Sequence, residues 1–191
     1  ARSVLAAMKR MDDLGEIQIV ANGHGPLLQH NVTELLARYR HWSQSQAKAE
    51  KSVVVIYIAD YGYSDRLSQS IAKGITKTGV GVEMVDLSSA DPQEVQEIVN
   101  RSAAMPPLAG ENNGEITTNL GTILAAAQTK QLIGLYESYG GNDEPLDPLF
   151  TKFREVGLSP GFPSIKVKEL PTETIYQLCE ESGTDLGQTL I

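Results

Sequence analysis

The sequence predicts an α/β fold built on a doubly wound parallel sheet, and three observations carry that prediction. Val53-Val54-Val55-Ile56, with Ile58 behind them, is an unbroken aliphatic run of the kind found in strands buried on both faces. The run breaks at Asp60-Tyr61-Gly62-Tyr63, and from Ser64 a helical period sets in through Leu67, Ile71 and Ile75 until Gly79 offers a stop. From Lys51 onward strand-like and helix-like segments then alternate, the pattern of helices crossing over a parallel sheet. A strand, a short glycine-containing turn and a helix form an anion-binding unit, because the free N–H groups of the first helical turn point beyond the strand's carboxyl end.

Composition narrows the function classes. Hydrophobic residues make up 41% of the 191 and charged residues 21%, an ordinary globular balance. No apolar run approaches the roughly 18 to 20 residues of a membrane-spanning helix. A formal charge of −8 argues against nucleic acid or an anionic membrane as the main partner, since both demand a basic face. The single cysteine, Cys179, excludes an internal disulfide, reads as a buried packing residue and fits a reducing compartment, so the expected location is cytoplasmic or the plastid stroma.

Taken in order, the chain opens with a helix carrying Val4, Leu5, Met8 and Met11 on one face, with no apolar leader region. Gly15 stops it, and residues 16–20 alternate like a strand that ends in Asn22-Gly23-His24-Gly25-Pro26. A histidine between two glycines at a strand's end suits a metal ligand, although a lone one suits an ordinary loop as well. Asn31 with Glu34 reads as a capping box for a helix bearing Leu35, Leu36, Tyr39 and Trp42. Residues 44–51 are polar and read as a linker between a first segment, 1–43, and a second, 52–191.

Beyond the first strand and helix, residues 80–87 form the second strand. Asp91-Pro92-Gln93-Glu94 then announces a capped helix with Val95, Ile98 and Val99 inward. The alternation next demands a third strand, yet the chain passes from Ala104 to Met105-Pro106-Pro107 with no room for one before the helix at 116–129. The expectation is that this strand is missing and that residues between Ala104 and Met105 have been lost. A strand at 132–138, a helix at 145–156, a strand at 164–170 and a final helix from Thr172 complete the pattern.

In such a sheet ligands bind beyond the carboxyl ends of the strands, where three loops meet: residues 59–64, 105–115 and 138–144. The first is shaped for a phosphate, and the other two, rich in glycine and asparagine, let backbone approach a flat ring. Plain turns are the alternative for each.

Tyr57-Ile58-Ala59-Asp60-Tyr61-Gly62-Tyr63-Ser64, Met105-Pro106-Pro107-Leu108-Ala109-Gly110 and Glu137-Ser138-Tyr139-Gly140-Gly141 resemble the three flavin mononucleotide (FMN) loops of a flavodoxin-like domain. Gly23-His24-Gly25-Pro26 and Tyr39-Arg40-His41-Trp42-Ser43 resemble the junction of flavodiiron proteins, where a metallo-β-lactamase-like domain leads into the flavodoxin-like one. The resemblance covers essentially the whole chain and is nearest the cyanobacterial and plastid branch. It implies a sheet of order 2-1-3-4-5 and an oxygen reductase that passes electrons from a nicotinamide-linked or ferredoxin-type donor through FMN to a diiron site, with a role in photoprotection. It also implies a head-to-tail homodimer or a hetero-oligomer with a related subunit. Carried over by position, Ala59, Asp60, Tyr61, Gly62, Tyr63 and Ser64 surround the phosphate, Pro106, Pro107, Leu108, Ala109 and Gly110 flank the ring, and Ser138, Tyr139, Gly140 and Gly141 close its other side.

His24 matches the family's last iron ligand. The other ligands belong to a His-x-Glu-x-Asp-His stretch that this sequence does not contain, so no catalytic residue is assigned. Ala59 stands where the family usually has Ser or Thr, Asp60 adds a negative charge beside a dianion, and Gly141 replaces a frequent tryptophan. These departures keep a second reading open, a cofactor-poor structural or regulatory subunit.

Overall fold

The computed structural model describes residues 2–21, 27–47, 51–58, 63–105, 114–139, 147–168 and 170–191. It divides into two compact units, Ala1–Ala49 and Glu50–Ile191.

In the first unit α1 (Arg2–Asp12) packs against α2 (Val32–Ala47), burying Met8 and Val32. Arg40 donates to Asp12 at 2.6 Å across the pair. The strand expected at 16–20 reduces to one antiparallel bridge, Val20 with Leu28, because no other strand among the described residues lies alongside it. The expected capping box is not formed. Asn31 takes φ +54°, away from the extended backbone a capping residue adopts, and Glu34 pairs forward with Arg38 at 2.6 Å. Helix α2 also continues to Ala47, into the segment read as linker.

The second unit holds β1 (Ser52–Tyr57), α3 (Tyr63–Lys77), β2 (Gly81–Asp86), α4 (Pro92–Arg101), β3 (Ala104–Met105), α5 (Gly114–Ala126), β4 (Leu132–Ile133), β5 (Tyr136–Tyr139), α6 (Asp147–Glu155), β6 (Ser159–Pro160), β7 (Ile165–Lys168) and α7 (Glu173–Leu190). The main sheet is parallel with order β2-β1-β3-β4-β6, and β5 pairs with β7 in a second, two-stranded sheet. Val53, Val54, Val55 and Ile56 of β1 are all buried, as expected for its centre. The chain steps from β1 outward to β2 and then back across to β3, so right-handed crossovers put α3 and α4 on opposite faces. Asp91 caps α4 as the sequence indicates, accepting from Gln93 N at 2.8 Å and Glu94 N at 3.3 Å with Pro92 opening the helix.

The third strand is not missing. Ala104 and Met105 are consecutive residues of a strand that lies between β1 and β4, with Ala104 opposite Val53 and Leu132. Its described part is Ala104 and Met105, while β1 runs on through Val55, Ile56 and Tyr57 beside β2. Two prolines follow Met105, and neither can donate to a ladder. The lower end of this strand is fixed by buried Gln131, whose amide nitrogen donates to Val99 O at 2.7 Å and Ser102 O at 2.5 Å while its oxygen accepts from Gln128 N at 2.7 Å.

The strand expected at 132–138 is split into β4 and β5 at Gly134 and Leu135, and that expected at 164–170 is joined by β6 before it. The cause is a contact: a Cβ on Gly134 would lie 2.1 Å from the Phe162 ring, which fills the space beside the break. On one face α3 and α7 pack at the distance glycine permits. A Cβ on Gly74 would meet Glu180 O at 1.9 Å, and one on Gly183 would meet Ile71 O at 2.1 Å. Gly79, at φ +84°, ends α3 as read.

Candidate functional site

The carboxyl ends of the parallel strands form one edge, and the residues there come from β1, α3, β2 and β5. β1 ends in half-buried Tyr57 and buried Ile58, and α3 opens at half-buried Tyr63 with Ser64 buried in its first turn. The first-turn N–H groups of α3 have no partner within the helix, so they face this edge as donors. Ser68 donates to Asp65 O at 2.6 Å and Gln69 to the Asp65 carboxylate at 2.7 Å, which fixes the turn. β2 ends in Asp86, whose carboxylate accepts from Ser88 N at 3.0 Å and Ser88 Oγ at 2.8 Å. The edge carries negative field: the Tyr57 hydroxyl is pushed above its ordinary value by burial first, then by Asp86 and Asp65.

From β5 come Ser138 and Tyr139, both half-buried, with the Lys166 ammonium 5.2 Å above the Tyr139 ring. Preceding them, Tyr136 is fully buried and its hydroxyl donates to Ile56 O at 2.6 Å. Burial pushes that hydroxyl well above its ordinary range, so it stays a neutral donor. β5 touches α3, which draws the second contributing strand to the first.

Of the expected cofactor residues, the structure therefore brings Tyr63, Ser64, Ser138 and Tyr139 to one edge. Ala59, Asp60, Tyr61, Gly62, Pro106, Pro107, Leu108, Ala109, Gly110, Gly140, Gly141 and the expected metal ligand His24 lie outside the described residues. Among the described residues no cluster of three His, Cys, Asp or Glu side chains is placed to hold a metal. Among them, too, no helix is long and apolar enough to cross a membrane. Cys179 is buried in α7 and its thiol is pushed up to about 11 by burial, in keeping with a packing role. Sequence reasoning missed Tyr136, Asp65 and Asp86. Asp65 stood in the first turn of an expected helix and Asp86 near the end of an expected strand, whereas the tyrosine's role depends on a partner distant in sequence.

The edge fits a flavin mononucleotide at its phosphate end. A buried serine stands in the first turn of a helix whose N-terminus faces the strand end, the arrangement that holds a phosphate through backbone amides and a hydroxyl.

No protein-family model matches the chain. Over its whole length the chain is 70% identical to diflavin flavoprotein A 1 of Synechocystis sp. (strain PCC 6803), of which it covers 34%. It thus spans about a third of the length of the curated relatives it matches. Among solved structures, the metal-soaked Flv1 flavodiiron core from Synechocystis sp. PCC6803 superposes with a TM-score of 0.88 at 35% identity, covering 97% of this chain and 47% of that one. A flavodoxin-like domain from Synechococcus sp. is 55% identical with a TM-score of 0.65, covering 72% of this chain and 97% of that one. With identity of this order across the chain and a near-complete overlap with a solved domain, the chain belongs to the cyanobacterial diflavin flavoprotein A, or flavodiiron, family.

Proposed function

We propose that the second unit is the FMN-binding electron-transfer domain of a flavodiiron oxygen reductase, and that residues 1–43 are the closing segment of its metallo-β-lactamase-like domain, joined through a linker at 44–51. The observation that carries the reading is the β1–turn–α3 cradle at the carboxyl edge, with Ser64 buried in the helix's first turn. Bound there, FMN would supply the conversion between two-electron and one-electron transfer. The chain's own residues would bind and orient it. The α3 amides and the Ser64 hydroxyl would hold the phosphate, residues 59–62 would wrap it, residues 106–110 would flank the ring, and Ser138, Tyr139, Gly140 and Gly141 would cover its far side. Asp65 and Asp86 would disfavour added negative charge at the edge, and so lower the bound flavin's affinity for electrons.

In the whole protein, electrons from a nicotinamide-linked or ferredoxin-type donor would reach a diiron site that reduces dioxygen to water, with His24 as one iron ligand. A head-to-tail homodimer, or a hetero-oligomer with a related subunit, would bring one subunit's flavin beside its partner's iron. Titration of the chain with FMN tests the first step: saturable quenching of flavin fluorescence and a shifted absorbance band near 450 nm are expected, and their absence sinks the reading.

A second reading has its own support in the acidic edge, with Ala59 and Asp60 in the phosphate loop: a structural or regulatory subunit that binds little cofactor. Failure to take up FMN, together with stable association with a related full-length subunit, favours it.

A further inference from the structure

The carbonyls of β1 alternate between its two neighbours. Those of Lys51 and Tyr57 accept from Gly81 N at 3.0 Å and Leu87 N at 2.9 Å on the β2 side, whereas that of Ser52 accepts from Ala103 N at 2.7 Å on the β3 side. The Ile56 carbonyl, in step with Ser52, therefore faces β3. A central-strand carbonyl left without a donor in the core costs the full desolvation of the group. The Tyr136 hydroxyl donates to the Ile56 carbonyl at 2.6 Å and is fully buried. The same hydroxyl adjoins the Ser68 side chain of α3.

We propose that Tyr136 is a positioning residue for the flavin edge: its hydroxyl ties the carboxyl end of β1 to β5 and α3, so that Tyr57 and Ile58 leave the sheet from a fixed point beside the first turn of α3. β1, α3 and β5 meet at this one oxygen. The inference rests on the FMN reading for its consequence, but the positioning itself is a property of the flavin-free chain.

The test compares Tyr136→Phe, which keeps every carbon of the core side chain, with Val95→Ala, a buried site on α4 chosen to lose a similar amount of thermal stability. Amide hydrogen exchange over residues 57–64 is followed in the flavin-free chain, and FMN affinity is measured by fluorescence quenching. Tyr136→Phe is expected to speed exchange in that segment and weaken FMN binding, each about tenfold, the effect of one lost buried hydrogen bond. Val95→Ala at matched stability is expected to leave both nearly unchanged. Equal behaviour of the two variants overturns the proposal, since the tyrosine would then matter only for stability. If the parent chain takes up no FMN, the exchange comparison alone decides the positioning role, and it is the flavin reading that falls.

Discussion

Asp65 sits in the first turn of α3, where its charge favours the helix dipole but opposes an incoming phosphate. Tyr57 senses that charge together with Asp86. Asp65→Asn is expected to tighten FMN binding about threefold to tenfold and to bring the Tyr57 titration back toward its ordinary range, at a cost of about 0.5 kcal/mol in helix stability. Fluorescence quenching and tyrosinate absorbance against pH measure the two effects. Cys179 makes a separate prediction about alkali. Its thiol titrates near 11 in the fold against 9.0 when free, so the protonated form is favoured by folding. That contribution is whole below pH 9.0, and it is lost as pH rises toward 11. Guanidinium unfolding at pH 8 and 10.5 is expected to differ by roughly 2 kcal/mol on this account, a share that Cys179→Ala removes. Tyr136 adds a loss of the same sign that remains in the variant.

Among the elements, those with a long local pattern were legible and those set by contact were not. β1 and α3 show themselves because a buried run and a helical period fill them, and the α4 cap because three adjacent residues make it. The described part of β3 is two residues, too few to show a period, and what marks it is the Gln131 amide reaching back to Val99 and Ser102. The split of the fourth and fifth strands follows from Phe162 lying over Gly134, a pairing no spacing announces. Asn31 and Glu34 have the right spacing for a capping box, but Asn31 has a positive φ in place of extended backbone and Glu34 pairs with Arg38. Of the candidate site, the strand-turn-helix cradle was readable, while its acidic field and the Tyr136 support required the sheet to be built first. The α3–α7 contact gives the third prediction. Gly183→Ala would drive a methyl into the Ile71 backbone carbonyl and is expected to cost about 3 kcal/mol in denaturant unfolding, whereas the pair of exposed Lys73 with half-buried Glu180, 2.7 Å apart, is of little consequence.

Across the second unit as a whole, the path of the chain closes on itself. The Lys51 ammonium, just before β1, donates to the carbonyl of Leu190 at the end of α7. A permuted unit with those ends joined by a short glycine linker and reopened at the exposed turn of Thr129 and Lys130 is expected to keep its far-ultraviolet circular dichroism and its FMN affinity within about twofold. Loss of the fold would show that the order of the strands along the chain, beyond their contacts, is required. The adjacency also has an architectural consequence. The start of β1 and the end of α7 share one corner of the unit. Pulling on those two ends at once would load the Lys51 corner alone and leave the carboxyl edge, at the other end of the strands, without strain.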